Sequence, residues 1–362
     1  MRRLISIGML VILVVLFTIL AGAGKGKFFN FDNLIEVVRD ASIPAIIGVG
    51  VTFIIITAGI DLSTGSMMAL VGMTMANIYA YTLLPFSVMM LAGILVGLLC
   101  GFCNGVIVAK FNVPEFIGTL ATMSIFRALT YIIAIRDANG VIKSQPMNHS
   151  GYTWLGGGFG KFYFVIIAIR DANGVIKSQP MNHSGYTWLG GGFGKFYFVI
   201  IAMIIIVAAG QIVLKYTRYG TNLYSVGASK KAATLSGIDV AKTRLIAYVI
   251  TGFTVAVGAI FTTARLQSAT TAIGMDFEFN PIAAAVVGGV ALSGGSGDVI
   301  GTLIGALFMA TLENGVRKLS INTAYQYVIK GAIIIAVVIF DATYKARMDR
   351  KAREEGAKEG LE

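Results

Sequence analysis

Apolar runs recur along most of this 362-residue chain, separated by short polar stretches. An α-helix rises ~1.5 Å per residue, so a hydrocarbon core of ~30 Å takes about 20 residues. The runs at or near that length are 4–22, 43–60, 66–84, 87–109, 115–135, 196–214, 245–264, 281–296, 299–316 and 324–341. They predict an all-α integral membrane protein of about ten transmembrane helices. One membrane domain over 1–345 would be followed by a polar cytoplasmic tail over 346–362. The first run follows Arg2 and Arg3, is long for a signal peptide and precedes no convincing A-x-A cleavage site. It reads as a first spanning helix with its N-terminus in the cytoplasm.

Polar positions then fix a topology. The stretch 214–245, LKYTRYGTNLYSVGASKKAATLSGIDVAKTRL, carries Lys215, Arg218, Lys230, Lys231, Lys242 and Arg244 against one acid, Asp239. Lys and Arg resist translocation, which predicts a cytoplasmic loop. Ten crossings from a cytoplasmic N-terminus place this loop and the basic tail 345–358 on the same side. Within the loop, Ser229 is suited to cap a short helix over 230–235, and Gly237 to end it. A helix that short is marginal alone in water, so a docked partner is expected.

Composition narrows the class. The chain is 56% hydrophobic and 13% charged, too apolar for an ordinary soluble domain. Its net charge of +11 gathers at segment ends, in the loop and in the tail, which points to topology and the lipid surface and away from nucleic acid. Cys100 and Cys103 sit among apolar and glycine residues and read as helix-packing thiols. Gly93, Gly97, Gly101 and Gly105 share one helix face, as do Gly297, Gly301 and Gly305. Small residues four apart let helix backbones approach closely.

Residues 132–168 and 166–202 are identical at a shift of 34. The inserted copy offers only 162–169 as an apolar run, about 12 Å of helix, too short to span. The block is expected in an enlarged extracytoplasmic loop. Both histidines, His149 and His183, lie in it and are copies of one another, not a metal site.

Two polar interruptions share the pattern G-x-x-L-S-x-G-S, at 59–66 and 289–296. Matching helix breaks in two related halves mark permeation paths in many transporters, and Ser and Gly could cap the helices that follow. Ionisable residues at membrane depth are functional suspects. Asp61, Ser63, Arg127, Ser293 and Glu313 are therefore candidates for the translocation pathway, with Lys330 a further buried charge. Structural alternatives stand beside them: Asp61 as a helix cap, Arg127 on a backbone carbonyl, Glu313 and Lys330 reaching an interface.

Catalysis has little support. The nearest string to a phosphate-binding loop, Leu155 to Phe162, has Leu where the first Gly belongs and Phe where Ser or Thr would bind magnesium. No catalytic or metal-ligating constellation remains.

Five stretches together carry a resemblance: AGIDLSTGSMMAL (58–70), NGVIVAKFNVPEFIGTLATMSIFRALTYI (104–132), TRYGTNLYSVGASKKAATLSGIDVAK (217–242), NPIAAAVVGGVALSGGSGDVIGTLIGAL (280–307) and YQYVIKGAIII (325–335). The chain resembles the permease subunit of bacterial ATP-binding-cassette sugar importers of the ribose, xylose and galactoside type. That resemblance implies a ten-helix subunit of the bacterial cytoplasmic (inner) membrane with both termini cytoplasmic. It implies a second permease copy or paralogue, an extracytoplasmic sugar-binding protein, and a cytoplasmic ATPase that alone uses ATP and magnesium, so that this chain binds no cofactor. The family's A-x-L-S-G-I coupling element maps onto Ala233, Leu235, Ser236, Gly237 and Ile238, with Lys230, Lys231 and Ala232 in the same helix. Many relatives have Glu where this chain has Lys230. The expected cargo is a pentose or hexose; a nucleoside importer of the same type and an ion-coupled secondary transporter are the alternatives.

Overall fold

A computed structural model describes residues 2–21, 28–82, 85–135, 197–266 and 268–322, with scattered residues between 142 and 147 and beyond 322. The described residues are mainly helical: α1 (Arg2–Leu20), α2 (Phe31–Ile56), α3 (Thr64–Tyr81), α4 (Phe86–Gly105), α5 (Glu115–Ile132), α6 (Phe198–Tyr216), α7 (Arg218–Ala228), α8 (Lys230–Leu235), α9 (Val240–Leu266), α10 (Phe279–Val287) and α11 (Val299–Lys318). A π-helical turn, Val106–Lys110, continues α4. The only strands among the described residues are the two-residue β1 (Gln145–Pro146) and β2 (Ser268–Ala269), paired antiparallel. Among the described residues, five helices are long and apolar enough to cross a membrane: 31–56, 86–110, 198–216, 240–266 and 299–318. The duplicated block beyond residue 147 up to 196, Lys330 and most of 324–341 lie outside the described residues.

α2 and α9 form the centre. From Ala45 to Ile56 α2 is almost wholly apolar, as an enclosed helix segment must be, and Ile46, Ile47, Ile54, Ile55 and Ile56 have no exposed surface. α9 packs along α4, α2 and α3. The α4–α9 crossing depends on glycine on both sides. A Cβ at Gly97 would lie 2.5 Å from the Gly252 carbonyl oxygen, and one at Gly101 would strike the Tyr248 carbonyl. The glycine face expected in α4 is therefore a helix contact. Outside this core, Ile12, Ile19, Leu95, Leu99, Ile117, Ile204 and Ile212 are exposed on α1, α4, α5 and α6. So much exposed apolar surface suits hydrocarbon, not water.

Two expected spans differ from what forms. The run 43–60 belongs to a helix that starts twelve residues earlier, at Phe31. Its polar first turns hold because Asn30 caps Asp32, Glu36 pairs with Arg39, and Asp40 pairs with Arg265 and Arg317. The run 281–296 does not cross as a single helix. α10 has nine residues, about 14 Å, and ends where Gly289 turns left-handed (φ 92°) with Val290 N–H returning to the Ala285 carbonyl. The chain after Leu266 at the end of α9 folds back to start α10 beside α3: the Gly274 carbonyl would meet a Cβ at Gly65. α10 is thus a half-helix entered from a re-entrant segment.

The two polar interruptions are not equivalent in shape. α2 ends at left-handed Ala58 (φ 62°), and α3 restarts with Ser63 in the N-cap position. In the second, eleven residues, 288–298, separate α10 from α11, whose cap is Asp298, not Ser293 or Ser296. The two loops nevertheless meet, because the Gly295 N–H donates to the Ile56 carbonyl at 2.9 Å.

Candidate coupling and translocation site

Residues 214–245 form a staircase of three capped helix starts. Thr217 accepts from the Gly220 N–H at 3.3 Å, Ser229 from the Ala232 N–H at 3.2 Å and Asp239 from the Lys242 N–H at 2.9 Å. Each cap satisfies an amide that a helix N-terminus leaves open. α8 stops as expected: Gly237 takes φ 78°, its N–H bonds the Thr234 carbonyl, and the Ile238 N–H bonds the Ala233 carbonyl.

α7 fastens this staircase to the bundle. Leu223 and Val226 face inward, and the Tyr219 ring stacks on Phe53 of α2 at 6.1 Å. Burial pushes the Tyr219 pKa up, so its hydroxyl stays protonated and donates to the Thr243 carbonyl at 3.0 Å. Tyr224 donates to the Gly297 carbonyl at 2.7 Å, inside the second interruption. A Cβ at Gly227 would strike the Ile56 carbonyl, so α7 presses on the ends of both interruptions.

α8 faces outward. Of its residues only Ala233 is buried; Lys230, Lys231, Ala232 and Thr234 are exposed and Leu235 is 82% exposed. Ser236 and Gly237 are exposed and Ile238 half-buried. Beside α8 opens a basin of about 400 Å³ whose walls include Asn112, Lys230, Lys231, Thr234 and Arg244. Its charge is positive apart from Glu115 at its edge, which pairs with Arg244 and lies 3.7 Å from Lys230.

The five pathway candidates do not converge. Asp61 and Ser63 are wholly buried. The Asp61 carboxylate accepts from the Ser63 N–H (2.8 Å) and hydroxyl (2.7 Å), and Asn104 donates to that hydroxyl at 2.7 Å. Asp61 orders the turn at Ser63, the residue just before α3, without bonding an amide of the helix itself. Arg127 is half-buried and donates to the Thr271 and Ile273 carbonyls at 2.8 and 3.0 Å. It thereby fastens the re-entrant segment ahead of α10, with Asp276 and Glu278 close enough to feel its charge. Ser293 is exposed beside the staircase, and Glu313 is half-buried in α11.

Sequence reasoning missed Glu115, Glu278 and Asp40. Glu115 follows Pro114 at a helix start, where an acid complements the helix dipole without any partner. Only the fold reveals Arg244 opposite it. Asp40 ties α2 to α9 and α11 at the end of the bundle away from the staircase, through Arg265 at 2.7 Å and through Arg317. Arg39 lies over the Tyr197 ring at 3.9 Å nearby.

Apolar helices with two polar interruptions and a short, capped, exposed helix between α7 and α9 are the architecture of a multi-pass membrane transport subunit. The chain belongs to the family described as branched-chain amino acid transport system / permease component, which it matches over residues 33–338. It is 34% identical to the ribose import permease protein RbsC of Haemophilus influenzae over 87% of this chain and 86% of that one. The same identity holds for the Escherichia coli ribose import permease protein over 92% of each chain. The xylose transport system permease protein XylH of Haemophilus influenzae is 31% identical over 94% of this chain and 96% of its own. No solved structure matches the chain.

Proposed function

We propose that this chain is the membrane permease of an ATP-binding-cassette importer that carries a monosaccharide, a pentose or hexose, into the cytoplasm. The observation that carries this reading is the likeness to ribose and xylose permeases across nearly the whole chain. The exposed face of α8 supports the partner it requires: a cytoplasmic ATPase docked over Lys231, Ala232, Leu235, Ser236 and Gly237, with Lys230 turned toward Glu115. A second permease copy or paralogue and an extracytoplasmic sugar-binding protein complete the assembly. On this reading the chain crosses the inner membrane ten times, the re-entrant segment and α10 together making one crossing, with both termini in the cytoplasm. α1 fits that orientation: Ser6 near its start donates to the Val287 carbonyl, at the same end of the bundle as the staircase.

In the translocation role, Arg127 and Glu278 are better placed than Asp61 and Ser63. They sit where the re-entrant segment reaches the middle of the bundle, whereas the Asp61 cluster has no exposed surface. Selectivity for cargo falls mainly to the binding protein.

The experiment is uptake of radiolabelled ribose and xylose by membranes containing the complete importer, with unlabelled competitors. Either sugar is expected to be accumulated and to be displaced by excess of itself. Accumulation of a nucleoside or of leucine, with neither pentose nor hexose transported, overturns the sugar reading.

A further inference from the structure

We propose that Glu115 is a positioning residue that ties movement of α8 to the first helix interruption. The inference rests on the reading of α8 as the ATPase-docking helix. It deepens that reading by naming the group through which docking reaches the membrane part.

Three parts of the fold meet at this one carboxylate. It pairs with Arg244 in the first turns of α9 and lies 3.7 Å from the Lys230 ammonium at the start of α8. Its other oxygen packs against the interruption itself: a Cβ at Gly59 would lie 2.8 Å from Glu115 Oε2. The next turn of α5 continues the connection. Thr119 donates to the Glu115 carbonyl at 2.8 Å, reaches the Ile60 carbonyl at 3.3 Å and accepts from the Leu62 N–H at 3.3 Å. Between Ile60 and Leu62 stands Asp61, which orders the turn just before α3.

The two cationic arms differ in strength. The Arg244 side chain is 6% exposed and the Glu115 side chain 12%, so this pair is shielded and cannot be broken without stranding a charge. The Lys230 side chain is 51% exposed, and a pair that open is weak. An ATPase that draws α8 aside can therefore stretch the Lys230 arm while Arg244 keeps the carboxylate seated. As that arm lengthens, the carboxylate turns further toward Arg244, and the Oε2 atom that lies against Gly59 turns with it.

The test uses the complete importer in proteoliposomes and reads sugar taken up per ATP hydrolysed. Lys230→Gln, Glu115→Gln and the double variant are compared, with co-purification of the ATPase as the readout of docking. Each single variant is expected to lower uptake per ATP about fivefold while the ATPase still co-purifies, and the double is expected to be no worse than the worse single. An unchanged ratio in Lys230→Gln, or additive losses in the double, overturns the relay. So does loss of ATPase from Lys230→Gln, which makes that lysine a docking contact. Glu115→Gln strands Arg244; if it fails to accumulate, Lys230→Gln alone decides, because an exposed lysine can be replaced without a folding defect. Failure of the docking reading itself shows elsewhere, in a Leu235→Asp variant that transports normally.

Discussion

Replacing Gly237 with proline is expected to reduce uptake to background. Gly237 sits at φ 78°, a value proline cannot adopt, and its N–H bonds the Thr234 carbonyl, a donor proline lacks. The turn that ends α8 and aims the Ser236–Ile238 segment is lost. Because this variant changes shape, Leu235→Asp is the sharper probe. Leu235 is 82% exposed, so the substitution strands nothing in this chain. Burying a leucine side chain is worth about 1.5–3 kcal/mol, and an aspartate in its place adds the cost of a buried, unpaired charge, so binding should weaken by more than about tenfold. Uptake should fall by at least about that factor with the permease present at its normal level in the membrane. Normal uptake in both variants would refute docking through α8. Thermal unfolding in detergent checks that Leu235→Asp leaves the fold intact.

The second large effect is structural. Gly252→Leu should prevent the folded protein from accumulating. A Cβ there would strike the Gly97 carbonyl and come within 3.0 Å of Gly101. The obstruction is backbone on the facing helix, which cannot turn aside as a side chain can. Overpacking usually costs 1–3 kcal/mol; separating α4 from α9 along their full contact should exceed about 3 kcal/mol and lower the midpoint of unfolding by more than about 5 °C. Gly8→Ala is the control, because nothing lies within 4 Å of a Cβ there. Equal yields and melting of the two variants would mean that α4 and α9 do not pack as described.

What could be read from the sequence follows from how local each cause is. The cap at Ser229 and the stop at Gly237 depend on residues a few positions apart, and both form where expected. The α4 glycine face was legible because a four-residue spacing has one packing consequence, although its partner, Gly252, was not. The half-helix α10 was hidden because 281–296 is apolar on average, while Gly288 and Gly289 end the helix midway. The shared G-x-x-L-S-x-G-S pattern misled in the opposite direction: alike in residues, the two loops differ in where the next helix starts. Glu115 lies 129 positions before Arg244, so no local pattern could have joined them. Among the pathway candidates, charge at membrane depth identified Arg127, which anchors the re-entrant segment. The same criterion gave no weight to Glu278 beside it.

The central claim is that this chain transports through a separate ATPase and not through an ion gradient. Proteoliposomes containing the permease, its ATPase and its binding protein measure this directly, with ATP held constant inside and labelled ribose outside. Collapsing the proton and sodium gradients should leave uptake unchanged, and omitting either ATP or the ATPase should abolish it. Uptake that stops when the gradients collapse at constant ATP, or that continues without the ATPase, would contradict the account.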